Sequence, residues 1–321
     1  MRKNKFLLIT LAVAGMLTAC SKDEVAKMNQ GNEISFRLQG GMPSKTTAST
    51  AVNVDAFVVY GGDDVNTGLF TGVTVARQVA GGFAYAPNRY YDENATKAAF
   101  VAYSPVTSGI TPATPITNVA AGATFNYVVP VPDATNGNIS QVDLLFAAKD
   151  VNPLATSVPL HFDHALSRVF ITATNKTADV ITIESLALNQ LYSTGIITVP
   201  TGAASWSWTS TTVEDDYAYA LAEAGVAVPI DPTPATPTKK LITSMEQGMM
   251  VLPQTTPATS KIVVKYGIGN LTNQTKELAI NGITFEENKQ YSINLEFTGD
   301  ALISFTVTVE PYGPITEVVI P

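Results

Sequence analysis

The sequence ISFTVTV occupies residues 303–309, so apolar and hydroxyl side chains alternate along the whole stretch. Residues 290–297 repeat the pattern, with apolar side chains at every second position from Tyr291 to Phe297. Successive side chains of a β-strand point to opposite faces of a sheet, so each stretch predicts a strand with one buried face. Alternation of this kind is typical of antiparallel sheets.

The rest of the chain continues in short apolar runs that Gly, Pro, Asn and Thr interrupt, and helical periodicity is nearly absent. Besides the two segments above, we predict strands over residues 34–38, 52–60, 73–79, 98–103, 123–129, 142–148, 166–174, 180–189, 196–199, 249–252, 261–266, 276–280 and 315–320. Many short strands separated by turn residues indicate an all-β protein built from antiparallel β-sandwiches.

The chain has 321 residues, which favours two domains of roughly 150 residues, although a single large sandwich is the alternative. The proline-rich stretches 104–118 and 224–239 predict connectors, because proline cannot donate to a regular ladder. Asn152, Pro153 and Pro159 interrupt the strand series near the middle of the chain. We therefore expect an N-terminal sandwich over 33–160 and a C-terminal sandwich over 161–321.

Residues 1–19 are typical of a signal peptide, because Arg2, Lys3 and Lys5 precede an uncharged stretch over 6–17. That stretch is too short for the ~20 helical residues that span a bilayer. It ends in LTAC, residues 17–20, which resembles the lipobox of bacterial lipoproteins and implies acylation of Cys20. An ordinary signal peptide followed by a free thiol is the alternative.

The sequence SKDE at residues 21–24 resembles the surface-export tag of Bacteroides-type lipoproteins. The alternative interpretation is a solvated tether, and we expect residues 20–32 to form a flexible, lipid-anchored segment. The lipid on Cys20 would attach the protein to the outer membrane at the cell surface.

Charged residues make up only 14% of the chain, well below the usual ~25%, and Thr, Ser and Ala take their place. This composition is typical of extracellular proteins. Without residues 1–19 the chain keeps 16 of its 19 basic residues against 27 acidic ones. This excess of negative charge argues against nucleic acid as a partner.

Two histidines and a carboxylate occur close together at His161, Asp163 and His164, and these side chains are ligand types for Zn²⁺. No further ligand cluster accompanies them in the sequence, so we predict instead a buried, hydrogen-bonded histidine at a strand start. A Gly-x-Ser-x-Gly elbow and a phosphate-binding loop are also absent from the sequence. We therefore expect no enzyme activity, no cofactor and no metal site.

Trp206 and Trp208 are two positions apart and would project from one face of a strand. Such a pair is a candidate ligand platform, because indole rings can stack on sugars or on partner side chains. The alternative is that both tryptophans belong to the core of a sandwich.

Several short segments, in this order along the chain, resemble the fimbrillin-like proteins of Bacteroides-type bacteria, the type V pilin family. They are LTAC at 17–20, ISF at 34–36, VDAFVVY at 54–60, DLLFA at 143–147, HFDHALSRV at 161–169, VLPQ at 251–254 and NKQYSI at 288–293. The resemblance implies two transthyretin-like β-sandwich domains in a secreted lipoprotein. It further implies a subunit that assembles with other pilin subunits, in a homo- or heteropolymer, or that caps or anchors a surface fimbria.

The resemblance also implies that proteolysis after a basic residue removes the first strand, here residues 34–38. Arg37 and Lys45 are the candidates, and Lys45 is favoured because it lies in a looser stretch, whereas Arg37 lies within the predicted strand. The family site usually carries Arg.

A donor strand from the next subunit would fill the groove that the lost strand leaves, and we place it at residues 314–321. Its apolar side chains are Ile315, Val318, Val319 and Ile320. Because this tail is short, an uncleaved tip or anchor subunit is one alternative. A surface lipoprotein that binds host or bacterial glycans through Trp206 and Trp208 is another.

Overall fold

The computed structural model describes residues 33–39, 54–79, 81–130, 141–153, 155, 157–210, 213–218, 221, 225–230, 238–243, 248–298 and 302–311. Cys20, Lys45 and the predicted strand at 315–320 therefore lie outside the described residues, together with the predicted signal peptide and tether.

The described residues form short strands and one 3-10 helix. The strands of the first part of the chain are β1 (Phe36–Leu38), β2 (Ala56–Asp63), β3 (Phe70–Arg77), β4 (Phe83–Ala84), β5 (Ala98–Ser104), β6 (Thr111–Pro112), β7 (Ala123–Val128), β8 (Leu145–Val151), β9 (Val158–Leu160) and β10 (Asp163–His164). The 3-10 helix spans Val119–Ala121.

The strands of the second part are longer on average. They are β11 (Ser167–Asn175), β12 (Ile181–Tyr192), β13 (Thr194–Val199), β14 (Ser207–Ser210), β15 (Glu214–Ala218), β16 (Val226–Val228), β17 (Lys240–Leu241), β18 (Met249–Val251), β19 (Gln254–Thr255), β20 (Lys261–Ile268), β21 (Leu271–Ala279), β22 (Thr284–Phe285), β23 (Lys289–Phe297) and β24 (Ile303–Pro311).

A six-stranded sheet in the order β10-β8-β5-β2-β3-β4 has a hydrophobic cluster on each face. In β5, Phe100 and Ala102 belong to one cluster, whereas Val101 and Tyr103 belong to the other. Every residue of β5 is therefore buried, which explains its unbroken apolar sequence AAFVAY. The parallel pair of β1 and β9 contributes to the first of these clusters.

Two five-stranded sheets form a sandwich in the second part of the chain. One has the order β17-β11-β23-β24 with β18 also paired to β11, and the other has the order β15-β12-β20-β21 with β16 also paired to β12. Their facing side chains share one buried cluster, for example Ile171 and Ile293 from the first sheet and Ile183 and Ile262 from the second. β19 and β22 form a separate two-stranded ladder.

A four-stranded sheet in the order β14-β13-β7-β6 links the two parts of the chain. β7 pairs antiparallel with β13 from Ala123 opposite Val199 to Val128 opposite Thr194. The boundary predicted at 160/161 falls between β9 and β10, and this sheet takes strands from both sides of it. The division into two domains stays a prediction.

The all-β prediction is confirmed, and no α-helix occurs in the described part of the chain. The segment 290–297 lies within β23, where Tyr291, Ile293, Leu295 and Phe297 are all buried. Most ladders are antiparallel, but β11 pairs with β23 in parallel, as β1 does with β9. Parallel pairing suits β11 because almost all of its residues are buried. Within the described ranges, no helix is both long and apolar enough to cross a membrane.

Candidate functional site

The first strand of the described structure inserts apolar side chains into the core. Ile34 and Phe36 are buried, whereas Arg37 is exposed, so burial alternates along the segment. The ring of Phe36 lies within 6.0 Å of four aromatic ring centroids, and all four contacts are edge to face: Phe57, Phe70, Tyr85 and Phe100. Edge-to-face packing adds to the stabilisation that burial already provides.

Backbone hydrogen bonds hold this segment from two sides. Against β9, the N–H of Val158 donates to the carbonyl of Ser35 at 2.8 Å, and the N–H of Gln39 donates to the carbonyl of Leu160 at 2.8 Å. On the other side, the N–H of Ile34 donates to the carbonyl of Arg89 at 2.9 Å. Residues 34–39, which include β1, therefore fill a slot between β9 and the segment that follows β4, and we call it the slot of β1.

The residues after β4 close this slot from the opposite side. The hydroxyl of Tyr85 donates to the carbonyl of Ile34, and the Arg89 guanidinium lies 4.9 Å from the ring centroid of Phe70. Burial raises the pKa of Tyr85 and of Tyr91, so both phenols stay neutral. The slot therefore offers apolar walls to the side chains of any strand that occupies it.

The sequence indicated the strand that fills this slot but missed the residues that line it. The sequence FAYAPNRYY at 83–91 is dense in aromatic residues, and this density was the signal that could have identified the lining. Of the two processing candidates, Arg37 is exposed and lies within β1 opposite Pro159. Lys45 and the donor candidates Ile315, Val318, Val319 and Ile320 lie outside the described residues.

The histidine cluster separates into two unrelated environments. His164 is fully buried in β10, with its Nδ1 2.8 Å from Oδ2 of Asp143, which matches the predicted buried histidine at a strand start. His161 is exposed, with its Nδ1 3.1 Å from the carbonyl oxygen of Gln39 and its Nε2 3.4 Å from Oδ1 of Asp163. Within the ranges that the structure describes, no three His, Cys, Asp or Glu residues form a metal-binding group.

Trp206 lies just before β14, and Trp208 lies within it. Both side chains face the core, whereas Ser207 and Thr209 are exposed. The indole N–H of Trp208 donates to the carbonyl of Ala165 at 2.6 Å. The ring of Trp206 packs against Phe146, with centroids 5.4 Å apart. Both rings are half-buried, and only Trp206 also lines a surface cleft.

Comparison with known proteins confirms the resemblance to fimbrillin-like proteins that the sequence indicated. The sequence profile of the fimbrillin-like family matches residues 42–311. A search of curated proteins found no match.

Two crystal structures share the fold. A fimbrial protein from Bacteroides vulgatus superposes with a TM-score of 0.64 at 15% identity, over 87% of this chain and 99% of that one. A "putative cell adhesion protein" from Bacteroides uniformis superposes with a TM-score of 0.54 at 16% identity, over 88% and 99% of the two chains. At these identities the structural likeness establishes the fold alone. The family profile matches most of the chain and therefore establishes the family. The chain therefore belongs to the fimbrillin-like family.

Proposed function

We propose that this chain is a subunit of a cell-surface fimbria that assembles by strand exchange. In this proposal the first strand is removed, and an extended segment of the next subunit takes its place. The observation that carries the proposal is the slot of β1: three residues of strand supply Phe36 to the centre of an aromatic cluster, and Ile34 is buried beside it.

Removal of β1 would expose an apolar surface to water and leave backbone groups without hydrogen-bond partners. The apolar walls around Phe36 would face water. The N–H of Val158 and the carbonyl of Leu160, which bond to the residues on either side of β1, would lose their partners. Both defects are corrected together when an extended strand enters, because the strand supplies a ladder and alternating side chains. This double requirement makes the empty slot selective for a β-strand.

One face of the C-terminal tail can supply the apolar side chains that such a donor needs. Val318 and Ile320 are two positions apart, as are Ile34 and Phe36, and Glu317 and Val319 would then point outward. Ile315 precedes this pair in the proposed donor segment 314–321. The tail would enter the groove of the next subunit in a homo- or heteropolymer.

Processing after Lys45 would remove the first strand whole, and cleavage at Arg37 would cut within β1. A protease must bind its target segment in extended, unpaired form, and the backbone of β1 is already paired with β9. We therefore place the cut after Lys45, in a precursor that is exported with residues 1–19 as signal peptide and attached to the outer membrane through a lipid on Cys20. A subunit that keeps β1 and its lipid would instead serve as the tip or the anchor.

Assembly of a tail-deleted variant tests the proposal. Lipid-free protein is digested with a trypsin-type protease and followed by gel electrophoresis under mildly denaturing conditions and by electron microscopy. The processed chain should form ladders and fibres, and the unprocessed chain is the matched control. The processed form of a variant lacking residues 313–321 should stay a folded monomer. A synthetic peptide of residues 312–321 should enter the empty slot and raise the melting temperature of this processed variant. Unimpaired fibre formation by the variant would contradict the proposal.

A further inference from the structure

A surface cleft of about 550 Å³ lies beside the end of the first strand. Five separate segments line it: Gln39 after β1, the middle of β8, the segment from β9 into β10, the turn between β13 and β14, and the turn between β22 and β23. The cleft thus lies where both parts of the chain meet, and it is distinct from the slot that β1 fills.

One wall of the cleft is aromatic. Trp206 lines the cleft while its ring packs at 61° against buried Phe146, so the fold holds the indole in place. Trp208 has the same side chain two residues later, but it does not line the cleft, and its ring packs 6.1 Å from Tyr127. The structure therefore assigns different surroundings to the two tryptophans.

The other walls carry hydrogen-bonding groups of both signs. Lys149 and Lys289 supply donors, Asp163 and Glu287 supply acceptors, and His161 contacts Asp163 at 3.4 Å. Neither lysine forms an ion pair within the described residues. The two ammonium groups and the two carboxylates balance each other in charge, so the cleft has no strong preference for an ion of either sign.

We propose that this cleft binds a neutral, hydroxyl-rich carbohydrate segment. A sugar ring has an apolar face that stacks on an indole, and its hydroxyls both donate and accept hydrogen bonds. The cleft has both features: Trp206 provides the stacking surface, and the carboxylates and ammonium groups around it accept from and donate to the hydroxyls. This site is separate from the slot that β1 fills, and it would make the subunit adhesive as well as structural.

Gln39 connects the cleft to the processing of the first strand. Its carbonyl oxygen lies 3.1 Å from Nδ1 of His161, at the point where the chain leaves β1. Cleavage after Lys45 would remove Gln39 from the cleft wall and leave His161 open to a ligand. Carbohydrate binding must therefore be measured on both the intact and the processed chain.

The experiment uses defined oligosaccharides as probes. A glycan microarray with neutral oligomers of glucose, mannose and N-acetylglucosamine, and with acidic oligogalacturonate and sialylated glycans, is followed by calorimetric titration with the neutral oligosaccharide that binds best. We expect saturable binding that Trp206→Ala weakens at least about tenfold and that the conservative Asp163→Asn also weakens. Trp208→Phe is the matched control and should bind like the original chain, and urea unfolding verifies that each variant is folded.

Three results would overturn the proposal: no saturable binding by either form, binding confined to acidic glycans, or binding that survives both cleft substitutions in folded protein. The assembly assay separates this outcome from failure of the proposed function. Trp206→Ala should still form fibres after processing, because Trp206 lies outside the β1 slot.

Discussion

The rings of Phe36 and Phe70 meet almost at right angles, with an interplanar angle of 83° and centroids 5.3 Å apart. Phe36 belongs to β1 and Phe70 to β3, so this contact joins the strand that we propose is lost to the sheet that remains. Removal of β1 would therefore break the aromatic contacts of Phe36, and substitution of this residue can measure how much free energy they contribute.

Truncation of Phe36 should destabilise the precursor strongly. We expect Phe36→Ala to lower the free energy of unfolding by about 3 kcal/mol, because the substitution leaves a cavity between Phe57, Phe70 and Phe100. Urea unfolding of lipid-free precursor measures the change. Arg37→Ala is the neighbouring control and should change the free energy by less than about 0.5 kcal/mol, since Arg37 is exposed. Equal effects of the two variants would show that β1 is not held by its buried side chains.

The two histidine–aspartate pairs should contribute unequally to stability. Asp143→Ala should lower the free energy of unfolding by about 2 kcal/mol, because Nδ1 of buried His164 loses its partner. Asp163→Ala removes the same type of partner from exposed His161 and should cost less than about 0.5 kcal/mol. Thermal and urea unfolding at neutral pH compare the two variants directly. A larger effect from Asp163 would argue that the surface contact of His161 is the stabilising one.

The mature N-terminus reports the processing of the first strand. In protein isolated from fibres, mass spectrometry should find an N-terminus at Thr46. Lys45→Ala should abolish this cut and with it polymer formation, whereas Arg37→Ala should leave both intact. Fibres that contain intact chains with acylated Cys20 would argue for an uncleaved tip or anchor subunit instead.

Stability should fall at alkaline pH, and Tyr103 is one cause. Burial raises the pKa of Tyr103 to about 12, and the nearby Tyr60 adds to the effect. An unfolded tyrosine ionises near pH 10, so above that pH the unfolded chain releases a proton that the folded chain keeps. The stabilisation is therefore complete below pH 10 and is lost between about pH 10 and 12.

Unfolding measurements between pH 8 and 12 test this dependence. Tyr103→Phe should reduce the slope of stability against pH in that window without removing it, because burial also raises the pKa of Tyr127 and Tyr217. Absorbance of the phenolate near 295 nm follows the ionisation independently. An unchanged slope in Tyr103→Phe would show that Tyr103 ionises as readily in the folded chain as in the unfolded one.

Strand positions could be predicted from the sequence because they depend on local alternation. The predictions for 98–103 and 303–309 correspond to β5 and β24, and that for 34–38 contains β1. The alternation also predicted that the apolar side chains of β23 are buried, but not that Asn294 is buried between them. It did not predict that β24 would leave Val309 exposed, because exposure depends on what covers a strand and not on the strand itself.

The candidate site could be predicted only in part. The resemblance to fimbrillin-like proteins singled out the first strand, but Tyr85 and Arg89, which hold it in place, carry no motif. Asp143 begins the family-like segment DLLFA, but its contact with buried His164 in β10 follows only from the fold. The sequence also could not show that Trp206 lines the cleft and Trp208 does not, since the two residues are chemically identical and lie two positions apart on one face.

The sequence alone determined that the chain is all-β, where most strands lie and which of their faces are apolar, because each of these properties follows from the period of neighbouring side chains. The tertiary structure decided that Phe36 fills an aromatic slot, that β11 and β23 run parallel, and that Gln39, Asp163 and Trp206 share a cleft. These relationships join residues far apart in the chain. They are set by packing and backbone pairing between whole sheets, which no local pattern of residues encodes.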